Sequence, residues 1–323
     1  MIKEIVLDAI PDRDEEYDRL ERFLQEFFKK EIYQPLINMM PTQNNLLKNS
    51  ADNLVSAIVS GKIYYYRGHF RGKFDAKTSK ELKSIGAEWD KKTGSFAIPS
   101  HKLTEQIKHA IQASENSFQR VFQRITNSLF SFDVDGMIAK LDMTKIFSSA
   151  LWRVEKDFKK SIANITVSPD LTIDQMKKIS VEYNNNMQLY VKNWTEEQIV
   201  ELRSKIEKNV QDGKRYEGLV KEIQDSYGVS QNKAKFLARQ ETSLYMAKFT
   251  ESRYGDAGIT EYIWECVHAS PKHPVRPMHL RLNGTRQSFL SPPIVNEKGD
   301  RKNPKEDYNC RCKARPIVKI RVA

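Results

Sequence analysis

Two stretches decide how the 323-residue chain is read: W-E-C-V-H-A-S-P-K-H-P-V-R-P-M-H-L-R-L-N-G at 264–284 and P-K-E-D-Y-N-C-R-C-K-A-R-P at 304–316. Together they hold all three cysteines, Cys266, Cys310 and Cys312, and half of the six histidines, His268, His273 and His279. Soft ligands drawn from two separate segments predict that a metal or a redox bond holds this end together. Three readings are open. A structural zinc takes the Cys310 and Cys312 thiolates plus two of Cys266, His268, His273 and His279, in tetrahedral sulfur–nitrogen ligation; the tight C-x-C pair reaches one ion if the chain bends at Arg311. A disulfide is the second reading, one that a reducing cytoplasm disfavours. In the third, the cysteines are small buried hydrophobes and the histidines make ordinary hydrogen bonds.

Composition sets the frame around these stretches. About two domains are expected at this length. The chain has 53 Lys+Arg against 42 Asp+Glu, a net charge of +11, and the charge is unevenly placed. From Thr260 onward 13 basic and 6 acidic residues give 13 − 6 = +7, whereas residues 1–30 carry 6 basic and 9 acidic residues, 6 − 9 = −3. A basic end suits a polyanionic partner, because phosphate contacts release counterions; the other reading is a solvated lysine-rich surface. Three cysteines make no disulfide framework. No apolar run approaches the roughly 18 residues of a membrane span. The N-terminus, M-I-K-E-I-V-L-D-A-I-P-D, turns acidic without a signal-peptide core. A protein made and kept in a reducing cytoplasm, with no membrane partner, is expected.

The expected fold is a mainly α N-terminal part with an inserted small α+β module, followed by a compact, irregular α+β C-terminal domain. Residues 1–61 form a helical segment in which Tyr17, Leu20, Leu24, Phe27 and Phe28 recur at helical steps, interrupted at Pro35 and Pro41 and resuming over Asn45–Ser60. Residues 62–99 form the module: β-prone Ile63–Tyr66, a short helix over Ala76–Ile85 stopped by Gly86, and a hairpin around the D-K-K-T-G turn, closed by Pro99. Residues 100–200 are helical. A loop over Ile165–Leu171 leads to Thr172, which caps the next helix, and Thr195 opens another. Within 201–323, Gly213 and Gly228 break the helices, Ser230 caps a last long one, and Gly255 stops it.

Residues 61–73 carry Lys62, Arg67, Arg71 and Lys73 without an acid, interleaved with three tyrosines and Phe70. Basic groups that track a backbone beside stacking aromatics suit single-stranded nucleic acid; the alternative is that these aromatics are the module's own core. S-Y-G-V-S-Q-N-K-A-K-F-L-A-R at 226–239 has the turn and cap of a helix-turn-helix, but Phe236, Leu237, Tyr245 and Phe249 belong in a core. An HNH-type nuclease needs a carboxylate- or His-held divalent ion beside its base. His279 is followed by Leu-Arg-Leu-Asn-Gly, which offers no such ligand, and no enzymatic constellation is expected.

Five pieces in order now carry a resemblance. A-R-Q-E-T-S at 238–243, Gly258-Ile259 and the strand to Trp264, V-R-P-M-H at 275–279, Leu282 with Gly284, and P-K-E-D-Y-N-C-R-C ending in Pro316 resemble the phage Mu F-like minor head proteins, also called head morphogenesis proteins. The resemblance covers about 201–316. It implies a minor structural, non-enzymatic virion component of a tailed-phage head, associated with the portal protein or the major capsid protein. Such proteins act in head morphogenesis and in some cases on DNA packaging or ejection, in the virion and, during assembly, in the host cytoplasm. The alternative is a DNA-binding regulator or a zinc-dependent nuclease. The family motifs fall on Arg239 and Glu241, on Val275, Arg276 and His279, and on Asn309, Cys310, Arg311 and Cys312. Where the family carries an acid before V-R, this chain has Lys272-His273-Pro274. With the resemblance, Cys310, Cys312 and His279 become the expected ligands of one structural zinc, with Cys266 as the fourth; the alternative is that the polar residues of the family motif form a buried hydrogen-bond network.

Overall fold

A computed structural model describes residues 2–11, 14–40, 54–163, 165–166, 168–214, 216–267 and 274–321. The expected class holds: a helical N-terminal region with a small sheet, and a mixed α+β C-terminal part. The chain divides into two compact units, one built from Met1–Phe27, Ile138–Lys192 and Ser230–Ala323, the other from Phe28–Met137 and Asn193–Val229. Among the described residues no helix is long and apolar enough to cross a membrane.

The chain opens with strand β1 (Ile2–Val6) and helix α1 (Asp14–Phe28). The helical spacing read from the sequence is a buried stripe, since Tyr17, Leu20, Leu24, Phe27 and Phe28 are all buried. Pro35 does not interrupt. A π-helical turn over Lys29–Tyr33 leads directly into α2 (Gln34–Asn38), and Pro35 sits in that helix's first turn. Pro41 and residues 45–53 of the expected second helix lie outside the described residues; α3 (Leu54–Val59) forms its end.

The module is an antiparallel sheet of β2 (Ile63–Tyr66), β3 (His69–Gly72), β4 (Glu88–Asp90) and β5 (Ser95–Ala97), in the order β2-β3-β5-β4, with α4 (Ala76–Ser84) inserted. The expected hairpin is present, with Trp89 opposite Phe96. Asp75 and Thr78 cap α4 reciprocally, and Gly86 leaves it at φ +85°. Gly72 has φ +121°, and a Cβ there would lie 2.2 Å from the Lys62 carbonyl oxygen, so only glycine fits. Ile63, Phe70, Leu82, Phe96 and Ile98 share one core with Leu54 and Ile58 of α3 and with Leu103, Ile107 and Ala110.

Helices α5 (Glu105–Phe130), α6 (Val134–Ile138) and α7 (Thr144–Ile162) follow. Thr172 caps as expected: its hydroxyl accepts from the Gln175 N–H, and the Gln175 amide oxygen accepts from the Thr172 N–H. Three expected boundaries are absent. Helix α8 runs unbroken over Ile173–Gln211, passing Thr195, and α9 runs unbroken over Tyr216–Asp256, passing Gly228 and Ser230. The helix-turn-helix reading fails for this reason. Thr195 and Ser230 are fully buried within these helices. Burial of Leu219, Ile223, Ala234, Leu237 and Ala238 along α9 outweighs the roughly 1 kcal/mol that a mid-helix glycine costs. Gly213 does break the chain, at φ +77°, with the Tyr66 ring pressed where its Cβ would stand.

The second sheet has the order β1-β8-β6-β7, from β1, β6 (Glu261–Glu265), β7 (Arg286–Ser288) and β8 (Lys313–Arg321). All its ladders are antiparallel, and Ile5 pairs with Val318. The short helix α10 (Pro277–Leu282) lies between β6 and β7 in sequence. Tyr262, Trp264, Phe289, Val295 and the three cysteines form one core with Phe158, Ile162 and Tyr254. Behind it, Arg253 at the end of α9 forks onto Glu155 of α7 at 2.7 and 2.9 Å, with both side chains buried.

Candidate functional site

Alternation along extended chain places the sulfurs. Cys310 and Cys312 are buried just before β8, with exposed Arg311 between them, so two residues of spacing turn both thiols to one side. Cys266 follows the last residue of β6, Glu265, two positions after buried Trp264, and the Asn283 side chain accepts its N–H at 2.8 Å. His279 reaches the same place from α10, with only 2% of its surface exposed. Pro277 starts that helix and Arg276 precedes it in extended conformation. The Trp264 indole meets the imidazole edge-on at 5.5 Å.

The four side chains converge. His279 Nδ1 lies 3.6 Å from Cys310 Sγ and 3.6 Å from Cys312 Sγ. Cys312 Sγ lies 3.8 Å from Cys266 Sγ, whose thiol donates to the His279 carbonyl at 3.1 Å. The ligand atoms of His279, Cys310 and Cys312 all fall within 4.8 Å of one another. The Cys310 thiol is pulled below its ordinary pKa, first by the hydrogen bond from Cys312 and then, against burial, by His279 and the Lys305 N–H. Cys312, which supplies that hydrogen bond, is pushed up.

A carboxylate backs the imidazole. Asp307 Oδ2 stands 3.3 Å from His279 Nε2, a buried nitrogen with no hydrogen-bond partner in place among the described residues. Arg276 donates to the same oxygen at 2.9 Å and Lys302 to the other oxygen at 2.9 Å. Burial would raise the Asp307 pKa, but Lys302 and Arg276 outweigh it and hold the group below the ordinary carboxylate value. An Nε2–H directed at this anion leaves the Nδ1 lone pair facing the sulfurs. The loop that carries Asp307 takes left-handed backbone at Lys305 (φ +73°) and Asn309 (φ +50°). Helix α9 braces it: Gln240 accepts the Asn309 N–H, and Phe236 stacks on Tyr308 at 4.9 Å.

The structure therefore brings together Cys266, His279, Cys310, Cys312, Arg276 and Asn309. It does not bring in the R-x-E pair. Arg239 is exposed, and Glu241 lines a different cleft, of about 360 Å³, with Phe147, Tyr183, Met187, Tyr190 and Lys248, where burial raises its pKa. The residue between them, Gln240, is the one that reaches the site. Arg311 points away from the sulfurs, and His268 and His273 lie outside the described residues. The sequence reading missed Asp307, Lys302, Asn283 and Gln240, although Asp307 stands inside the quoted 304–316 stretch, three residues before Cys310.

The module's basic residues are divided. Arg67 and Arg71 both lie over the Tyr66 ring, at 5.1 and 5.5 Å, whereas Lys62 is ion-paired to Asp75 at 2.8 Å. Lys73 is exposed. Tyr65 packs on Phe70 and donates to the Ile98 carbonyl, so it belongs to the core.

A small α+β domain whose irregular half is organised round a buried thiol–imidazole–carboxylate cluster is the class of protein defined by this fold and site. Residues 200–315, which contain every member of the cluster, match the family described as "Phage Mu protein F like protein", as the motifs implied. A Haemophilus influenzae protein, described as uncharacterized, is 24% identical over 251 residues, covering 66% of this chain and 52% of its own length. The chain thus spans about half the length of that relative. No solved structure matches the chain.

Proposed function

We infer that the protein is a minor structural component of a tailed-phage head, located in the virion after assembly in the host cytoplasm. Its Mu F-like segment docks on the portal protein or the major capsid protein. One observation carries this reading: the family match over 200–315 coincides with the cluster into which Arg276, His279, Asn309, Cys310 and Cys312 fold. Residues spent on holding a loop region in shape suit a domain that presents a surface rather than one that turns over a substrate. The nuclease alternative loses support because His279 is buried between sulfur and Asp307, where it has no access to a phosphodiester. The regulator alternative loses its reading element with the unbroken α9.

A secondary contact with packaged or exiting DNA has its own observation in the two guanidiniums gathered on Tyr66. Such contact is sequence-independent and weakens steeply with salt.

The test is mass spectrometry of purified virions together with a deletion. The expected result is a protein present in few copies relative to the major capsid protein, with defective heads when it is deleted. Absence from virions, combined with normal heads in the deletion, overturns the reading.

A further inference from the structure

We propose that Cys266, His279, Cys310 and Cys312 bind one structural zinc ion, with His279 coordinating through Nδ1 and Asp307 holding the ring by Nε2. The geometry of the side chains carries the assignment. In a tetrahedral site with zinc–sulfur bonds near 2.3 Å and zinc–nitrogen bonds near 2.05 Å, neighbouring sulfurs lie about 3.8 Å apart, and sulfur and nitrogen about 3.6 Å apart. The observed separations are 3.8 Å for Cys312–Cys266 and 3.6 Å for each of Cys310 and Cys312 to His279 Nδ1. His279, Cys310 and Cys312 thus already stand at three corners of one tetrahedron, and Cys266 lies beside Cys312. A packed apolar core does not require this spacing, and a disulfide requires sulfurs about 2.05 Å apart.

The surroundings match what a ligated imidazole requires. Metal-bound histidines donate their other ring N–H to a carboxylate or carbonyl, which fixes the tautomer. Asp307 occupies that position 3.3 Å from Nε2 and is itself held by Arg276 and Lys302 at 2.9 Å each. The Lys305 N–H points at Cys310 Sγ at 3.4 Å, a donor that stabilises thiolate charge. Cys266 joins as the fourth ligand when its thiol turns from the His279 carbonyl, to which it donates at 3.1 Å, toward the centre of the other three. Thiolates and an imidazole in this ratio select zinc among the common divalent ions. Binding releases the thiol protons and links the end of β6, α10 and the segment just before β8 through one ion, so binding energy becomes folding energy for this part of the chain.

The experiment uses the full chain, purified with a reductant and without a chelator. Elemental analysis is expected to give one zinc per chain, and exchange with cobalt(II) to give tetrahedral d–d bands with a thiolate charge-transfer band. Cys310→Ser and Cys312→Ser are expected to lose the ion. Cys266→Ser keeps cobalt with a weaker charge-transfer band, and Asp307→Asn weakens zinc binding by about 10–100-fold. The His268→Ala/His273→Ala double variant keeps a full ion. Zinc well below one per chain in the wild type, with no cobalt spectrum after reconstitution, overturns the proposal even if a serine variant fails to fold. Loss of the ion in the double histidine variant, or an unchanged charge-transfer band in Cys266→Ser, overturns the ligand assignment. None of these outcomes depends on the head assignment, which virion analysis tests separately.

Discussion

The described residues form two four-stranded antiparallel sheets that are stabilised by different means. The module sheet rests on aromatic burial. Phe96 contacts Phe74 and Trp89 at 5.1 and 4.9 Å, and aliphatic residues from α3 and α5 complete its core. The C-terminal sheet also buries aromatics, but the chain from Phe289 to Cys312 contains almost no regular structure, and polar contacts fix it. Asn303 shows how: it accepts from the Tyr262 hydroxyl at 2.9 Å and donates to Glu251 at 3.0 Å and to the Phe289 carbonyl at 3.2 Å. A short-stranded sheet can be stabilised by apolar area alone if helices cover it. A loop-rich sheet needs directional contacts, because irregular backbone leaves polar groups that burial would otherwise penalise.

The comparison can be broken at its strongest point first. Phe96→Ala is expected to cost about 3–5 kcal/mol and to melt the module sheet whether or not a chelator is present. A cost below 1 kcal/mol in denaturant titration would mean that aromatic burial is not what holds this sheet. Asn303→Ala is expected to cost about 1–3 kcal/mol by leaving the Tyr262 hydroxyl buried and unpaired. Adding Tyr262→Phe to that variant should recover part of the loss, since removing both partners costs less than removing one. Without such recovery, packing rather than hydrogen bonding governs the loop.

The smallest effect sharpens the contrast inside the module, where one polar device does contribute. Asp75→Ala removes the cap of α4 and is expected to cost about 1 kcal/mol. The Asp75 pKa is depressed, chiefly by the hydrogen bond from Lys62 and then by those from Thr78. Its contribution is therefore fully present above the ordinary carboxylate pKa and is lost as pH falls toward the lowered folded value. Acid titration of wild type against Asp75→Ala should show the two stabilities converging at low pH; parallel curves would remove the cap as their cause.

Local chemistry made the module readable from sequence. Its turn glycines, its aromatic strands and the D-K-K-T-G hairpin all act over a few residues. The same locality misled at Thr195 and at Gly228-Ser230, where cap-type residues sit inside long helices because their surroundings bury them. Burial is a property of distant partners and has no local signature. The cysteines and His279 stood out as rare residue types from two segments, and so the candidate site was found. Asp307 did not stand out, because one acid among 42 is unremarkable until it lies beside an imidazole. Strand β1 went unnoticed for the same reason, since its partner is at the other end of the sequence.

That last pairing has a consequence for how the molecule is made. Ile5 lies opposite Val318 in the β1–β8 ladder, so their synthesis is separated by 318 − 5 = 313 residues. At roughly 5–20 residues per second on a ribosome, β1 waits about 15–60 seconds for its partner strand. The module, by contrast, has all its strands between Ile63 and Ala97 and finds its pairings while translation continues. Birth order thus runs from the aromatic sheet to the thiol-bearing one. Until β8 has been made, the first strand is an edge without its ladder partner, flanked by the acidic Asp8 and Asp14.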